Sequence, residues 1–115
     1  MKIDQFEEII AWQKAKQLSA ELYLLFKNNK DYSFRDQICK ASVSIMNNIA
    51  EGFERNSDKE FKHFLYIAKG STGEVRSMLY LADELNYINA KKVTELLETS
   101  LEISRLLSGF IKTLS

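Results

Sequence analysis

The chain contains no proline in 115 residues and only four glycines. Proline and glycine supply most tight turns, which an all-β fold needs at short intervals, so their scarcity favours long helices joined by few loops. The length fits one domain, and a composition that is 45% hydrophobic and 28% charged is typical of a globular chain rather than a disordered one. The sequence therefore predicts a single all-α domain over residues 1–115.

Apolar residues recur at steps of three and four along four segments, which is the spacing of a helix with one buried face. The segments cover about residues 8–28, 33–55, 58–86 and 90–113. Ile3, Phe6, Ile9 and Ile10 do not follow the first stripe and are predicted to pack over one end. Four amphipathic helices of similar length with short connections pack most simply as an antiparallel up-down-up-down four-helix bundle. The predicted core positions are Ala11, Ala15, Leu18, Leu22, Leu25 and Phe26, then Phe34, Ile38, Ala41, Ile45, Ile49 and Gly52, then Phe61, Phe64, Leu65, Ala68, Thr72, Val75, Leu79 and Ala82, then Val93, Leu96, Leu97, Ser100, Ile103, Leu107, Ile111 and Leu114.

Two serines precede an acidic residue by three positions, as in a capping box. Ser33 stands before Asp36, and Ser57 stands before Glu60. Serine is a favoured N-cap because its side-chain oxygen accepts a hydrogen bond from a free backbone N–H of the first turn. The second helix is therefore predicted to begin at Ser33 and the third at Ser57.

The third helix carries more apolar surface than a bundle position needs. On a wheel of about 100° per residue, Ile67, Met78, Leu81 and Leu85 form a flank beside the core stripe. The extra width predicts a second packing surface, most simply another subunit. A long helix that touches two neighbours within one chain would need the same broad face.

A polar strip runs beside the core stripe of the second helix, and small and polar residues on the third helix lie opposite it. Glycine inside a helix costs about 1 kcal/mol relative to alanine, so the glycines here require an offsetting benefit. We predict that the group is a structural and assembly network, in which loss of Asn48 or Glu51 would cost about 1–3 kcal/mol; a ligand or partner site is the alternative. The predicted network comprises Ser44, Asn48, Glu51, Gly52, Arg55, Gly70, Ser71 and Glu74.

The sequence shows no catalytic constellation. Glu60 and His63 have the spacing of a di-iron Glu-x-x-His motif, but such sites need the motif twice and the chain has one histidine. Cys39 is the single cysteine, which excludes an internal disulfide and fits a reducing compartment. No base can be assigned to activate its thiol. The prediction is a protein that is not an enzyme and uses no cofactor or metal.

The sixteen basic and sixteen acidic residues cancel, whereas proteins that bind nucleic acid generically carry a basic excess. Only a basic patch created by folding would bind phosphates. Trp12, Tyr23, Phe53 and Tyr66 fall off the inward stripes; exposed aromatic residues of this kind mark protein interfaces more often than base-stacking sites. The candidate RNA contacts are Arg35, Lys40, Arg55, Lys59, Lys62 and Lys69.

The N-terminal segment is charged throughout and shows no signal peptide. No apolar run approaches the roughly 20 residues that span a bilayer. The chain is predicted to be cytoplasmic and to have no membrane partner.

From Asp36 to Tyr87 the sequence resembles the 23S rRNA intervening-sequence proteins, above all at Ser44-Ile45, at Asn48-Ile49-Ala50-Glu51-Gly52 and at Ala68-Lys69-Gly70-Ser71. Trp12-Gln13-Lys14-Ala15 also matches. The resemblance implies a bacterial four-helix bundle that closes into a ring, typically a homopentamer. The family is also similar to the accessory variability protein of diversity-generating retroelements, a basic pentamer that works with a reverse transcriptase and RNA.

This chain departs from the family at two places: Cys39-Lys40 replaces a frequent basic pair, and Met46 replaces a frequent proline. The first departure weakens the implication of RNA binding. Residues and resemblance together predict a non-catalytic, self-assembling scaffold or adaptor whose partner is itself. The alternative is an RNA-binding accessory protein that uses a local basic surface of the ring to contact RNA or a nucleic-acid-associated protein.

Overall fold

The computed structural model describes residues 2–114, which form one short 3₁₀ helix and four long α-helices. The 3₁₀ helix is Phe6–Glu8, and α1 to α4 span Ile10–Phe26, Tyr32–Phe53, Asp58–Glu84 and Ala90–Thr113. Each helix packs against the next, and α1 packs against α4, which closes the bundle. The all-α antiparallel up-down-up-down four-helix bundle is thus confirmed. None of these helices is both long enough and apolar enough to cross a membrane.

Side-chain caps set the starts of three helices. The Oγ of Ser57 accepts from the backbone N–H of Glu60 at 3.2 Å, as predicted, and Asn89 caps α4 in the same way through Lys92. The prediction for Ser33 is wrong. Asp31 caps α2 by accepting from the N–H of Phe34 at 3.2 Å, which leaves Ser33 inside the first turn.

The core forms where the stripes predict it, with most of the predicted positions buried. Leu25 is an exception because it lies at the edge of its stripe near the end of α1, and 36% of it is exposed. The residues before the first stripe, which were predicted to pack over one end, differ in burial: Ile9 is buried, whereas Ile10 is 52% exposed. Phe64, Leu97 and Leu114 are half-buried.

Two buried hydroxyls that the stripes did not predict join α1 to α2. The Oγ atoms of Ser19 and Ser42 lie 2.8 Å apart, and Ser42 also donates to the carbonyl of Cys39 at 2.7 Å. These bonds satisfy both side chains inside an otherwise apolar core, where an unpaired hydroxyl would be costly.

A hydrogen bond and a ring contact join the α1–α2 loop to the α3–α4 loop. The hydroxyl of Tyr87 donates to Oδ2 of Asp31 at 2.6 Å, and its ring packs edge-on against Phe34 with centroids 5.2 Å apart. This bond, with a smaller contribution from the N–H of Phe34, holds the pKa of Asp31 below its usual 3.8. The same bond raises the pKa of Tyr87.

Tyr87→Phe is expected to lower the melting temperature at pH 7 by a few degrees, because the charged acceptor loses its donor. A pKa lowered by folding stabilises the protein above the unfolded pKa, and that contribution is lost as the pH falls through the folded pKa. The deficit of the variant should therefore shrink towards about pH 3. Thermal unfolding at both pH values measures it, with the exposed Tyr80→Phe as control. A deficit that does not change with pH would contradict this role of Asp31.

Candidate assembly and nucleic-acid surfaces

Three residues of the predicted network meet where α2 and α3 cross. The Oγ atoms of Ser44 and Ser71 lie 2.9 Å apart, and Nδ2 of Asn48 donates to the Ser44 carbonyl at 2.8 Å and to its Oγ at 3.0 Å. Ser71 is buried, and Ser44 and Asn48 are half-buried. The Ser44–Ser71 bond links the two helices near their midpoints, and the Asn48 bonds hold Ser44 from within α2.

The other polar members of the predicted network lie apart from this contact. Glu74 accepts from Nε2 of Gln37 at 3.0 Å, nearer the start of α2. Arg55 bonds Glu51 at 2.6 Å and approaches Glu60 at 3.8 Å, with its guanidinium over the Phe64 ring. Both of these pairs are exposed to solvent. The structure thus joins Ser44, Asn48 and Ser71 by hydrogen bonds, whereas Glu51, Arg55 and Glu74 bond other partners.

The glycines of the network have different surroundings. A Cβ atom on Gly52 would lie 2.6 Å from Cβ of Phe64, so glycine permits the close approach of α2 to α3 at this end. Around Gly70, and around Gly73 one turn further along α3, no atom of residues 2–114 apart from the adjoining helix backbone lies within 4 Å of such an atom. Packing within the chain therefore explains Gly52 alone.

The apolar flank of α3 is open to solvent for most of its length. Ile67, Leu81 and Leu85 are 39%, 46% and 45% exposed, whereas Met78 is half-buried against the core. The flank lies on the side of α3 that carries Ser71 and Glu74, as the wheel predicts. We use the name "apolar flank" for Ile67, Leu81 and Leu85.

The six candidate RNA contacts do not form one patch. Arg35 pairs with Asp36 at 3.0 Å and lies over the Tyr32 ring, and Arg55 is held by Glu51 and Glu60. Lys40 lies on α2 in a shallow polar cleft with Ser44 and Glu74. The remaining three, Lys59, Lys62 and Lys69, share one face of α3.

Further residues on this face of α3 extend the basic group. Arg76, Tyr66 and Tyr80 follow the same three- and four-residue steps, and the tyrosines are 57% and 61% exposed. Sequence reasoning singled out Tyr66 but missed Arg76 and Tyr80, although the spacing itself was a visible signal. We call the set Lys59, Lys62, Tyr66, Lys69, Arg76 and Tyr80 the Lys–Tyr row.

The other aromatic residues predicted to be exposed behave differently from one another. Tyr23 is 52% exposed on α1. Trp12 and Phe53 are half-buried and pack against the core, the first edge-on to Phe6 and the second edge-on to Phe61. Neither of these two rings is a free stacking surface.

Comparison with known proteins gives the chain a family. Residues 7–109 match the family described as 23S rRNA-intervening sequence protein. The chain belongs to this family. It is also similar to a solved structure from Bacteroides thetaiotaomicron, described as a protein with unknown function from the S23 ribosomal protein family, with 25% identity and a TM-score of 0.83 over 90% of this chain and 96% of that one. No curated protein matches it.

The family match confirms the resemblance seen in α2 and α3, and the structural likeness supports the bundle. Neither description names a catalytic activity. Membership of the 23S rRNA-intervening sequence family is thus established for this chain.

The residues that the sequence offered for catalysis or metal binding are Cys39, Glu60 and His63, and all three make contacts typical of structural residues. Cys39 is buried, and burial, with a smaller contribution from the charge of Asp36, raises the pKa of its thiol. A raised pKa keeps the thiol protonated and poorly nucleophilic at neutral pH. Glu60 lies at the Ser57 cap, and the exposed His63 ring packs edge-on against Phe64. Residues 2–114 contain no group of three or more potential ligands that would hold a metal ion.

Asn48 and Glu51 lie on the same strip of α2, but their replacement by alanine is predicted to change stability by different amounts. Asn48→Ala removes two hydrogen bonds from a half-buried site and is expected to lower the free energy of unfolding by about 1–2 kcal/mol. Glu51→Ala removes an exposed pair with Arg55 and is expected to lower it by less than about 0.5 kcal/mol. Urea unfolding at one fixed protein concentration measures both. Equal losses for the two variants would mean that the strip acts as a single network.

Proposed function

We propose that this chain is a non-catalytic bacterial scaffold or adaptor that assembles with copies of itself into a closed homopentameric ring in the cytoplasm. The observation that carries the proposal is the apolar flank of α3. Single exposed apolar residues are ordinary on protein surfaces. Three on one flank, from Ile67 to Leu85, extend over about 27 Å of helix at 1.5 Å per residue. Water would be excluded from this length if a second copy packed against it.

Gly70 gives independent support. It lies on the same side of α3 as the apolar flank and has open space where a side chain would stand. A helical glycine costs about 1 kcal/mol relative to alanine, and no packing neighbour among residues 2–114 accounts for glycine at this position. A helix from a second copy approaching closely here would offset it. The family resemblance supports five as the number of copies.

Light scattering coupled to size exclusion tests the proposal. We expect a mass about five times the 13.3 kDa of one chain. A monomeric mass at micromolar concentration would contradict self-assembly. A different multiple would contradict the pentamer and leave the scaffold in place.

A second candidate function is an RNA-binding accessory protein, with RNA or a nucleic-acid-associated protein as its partner. One observation favours it: Lys59, Lys62 and Lys69 share one face of α3, and within residues 2–114 no salt bridge reaches them. The family's resemblance to the accessory variability protein also supports RNA binding. Filter binding of total cellular RNA at 50 and 200 mM salt tests it, because phosphate contacts weaken as salt rises. This function would be excluded if RNA did not bind at 50 mM salt, or if binding were equally strong at 200 mM.

A further inference from the structure

The Lys–Tyr row lies on the side of α3 away from its contacts with α2. Ser71 and Glu74 reach α2 from one flank, through Ser44 and Gln37. The row is offset from that flank by about a third of a turn, at 100° per residue. It therefore forms a surface separate from the apolar flank that we assign to assembly.

The middle of the row, from Lys62 to Tyr80, is basic although the whole chain is neutral, and Asp58 and Glu84 lie on the same face only at its two ends. Between Phe61 and Ala82 the only acidic residue of α3 is Glu74, whose carboxylate accepts from Gln37 on the α2 side. In the described part of the chain, no salt bridge involves a cation of the row. A neutral protein can thus present a basic surface along one helix.

Two of the three acidic residues of the neighbouring helix α4 are engaged elsewhere, and the third, Glu98, is exposed. Glu102 pairs with Lys14 of α1 at 3.4 Å, and Glu95 pairs with Lys92 at 3.3 Å. Lys92 in turn bonds Glu21 of α1 at 2.9 Å. These pairs hold two glutamates of α4 towards α1 rather than towards the row.

The two tyrosines of the row are largely exposed to solvent. Tyr66 and Tyr80 are 57% and 61% exposed. They are separated by 14 positions, or about 21 Å of helix, which is the length of about six stacked nucleotides at 3.4 Å each. Lys69 and Arg76 lie between them. Cations that follow a backbone, interleaved with aromatic rings that take base faces, are the pattern of single-strand binding surfaces.

From this arrangement we propose that the Lys–Tyr row binds single-stranded RNA, with bases stacked on Tyr66 and Tyr80 and phosphates held by the four cations of the row. The inference rests on the second candidate function and names its ligand class. In a duplex the base faces are stacked on one another inside the helix, so the tyrosine rings would have no free base to meet. The exposed rings therefore favour a single strand.

Fluorescence anisotropy with a labelled 12-nucleotide oligouridylate tests the proposal. Three or four phosphate contacts, each contributing about 0.7, predict a slope of log K against log salt of about −2 to −3. Lys69→Ala should reduce the magnitude of that slope by about 0.7. Tyr66→Ala should weaken binding by about 5- to 150-fold, the range of base–aromatic stacking, whereas Tyr66→Phe keeps the ring and should bind as the parent does.

Matched controls distinguish a specific effect of the row from the general effect of removing any surface lysine or tyrosine. Lys27→Ala makes the same charge change at the end of α1, and Tyr23→Ala removes a tyrosine of similar exposure on α1. Both are expected to bind oligouridylate as the parent does. Melting temperature and assembly mass are measured on every variant, so that a folding defect is not read as lost binding.

Four outcomes would overturn the inference. One is the absence of salt-sensitive oligouridylate binding, which together with no binding of total RNA would remove the second candidate function too. Another is unchanged affinity in Tyr66→Ala. A third is tighter binding of a 12-base-pair RNA duplex, lost in Lys69→Ala and unaffected in Tyr66→Ala, which would leave RNA binding intact but exclude the stacked single strand. The last is a fall in assembly mass in Tyr66→Ala, which would make the row a subunit contact.

Discussion

Gly52→Ala is expected to destabilise the bundle by about 3 kcal/mol, at the upper end of overpacking substitutions, although alanine is the better helix former. The added Cβ would lie 2.6 Å from Cβ of Phe64, 3.0 Å from Cδ1 of Phe61 and 3.3 Å from the Phe61 carbonyl oxygen. The first and last of these atoms are fixed by the backbone of α3 and cannot rotate away. The helices must separate at this end, which loosens the packing of the Phe61 ring against Phe53 and Phe110.

The experiment compares Gly52→Ala with Gly109→Ala by urea unfolding. Gly109 lies inside α4 with nothing within 4 Å of an added Cβ, so its substitution should gain up to about 1 kcal/mol from helix propensity. Protein concentration is held constant because assembly would couple stability to concentration. If Gly52→Ala were as stable as Gly109→Ala, the close approach of α2 to α3 would not be the reason for glycine at this position.

Much of the fold follows from the sequence because buried positions repeat with the helix period. The predicted segment 90–113 has the bounds observed for α4, and 33–55 differs from α2 by one residue at its start and two at its end. Caps are harder to predict because competing acceptors lie close together. Asp31 and Ser33 are both good N-cap residues, and the Tyr87 hydroxyl, 56 positions away, bonds the one that is used.

The candidate surfaces were less predictable because they depend on how helices are placed against one another. Spacing alone put Ser44, Asn48, Glu51 and Arg55 on one strip, but it did not show which of them faces α3. The pairing of Glu74 with Gln37 depends on the axial offset of two antiparallel helices. The Lys–Tyr row needs only one helix, so its missed residues could have been found from their spacing.

Leu81→Arg is expected to convert the proposed ring into monomers, with the mass falling from about five times 13.3 kDa to that of one chain. In a closed ring of identical subunits the same contact repeats at every interface, so one substitution changes all of them. A guanidinium without a partner in an apolar contact carries a desolvation cost of several kcal/mol. Within a single chain Leu81 is 46% exposed, so the arginine can reach water and the bundle should remain folded.

Leu24→Arg provides the matched control for this substitution. Leu24 is 68% exposed on α1, away from the apolar flank, and the change of side chain is identical. Light scattering should give the parent mass for Leu24→Arg and the single-chain mass for Leu81→Arg, with equally helical circular dichroism spectra. If Leu81→Arg kept the parent mass, or if Leu24→Arg were the variant that dissociated, the subunit contact would lie elsewhere than the apolar flank of α3. A monomeric Leu81→Arg would also allow oligouridylate binding to be measured on a single Lys–Tyr row.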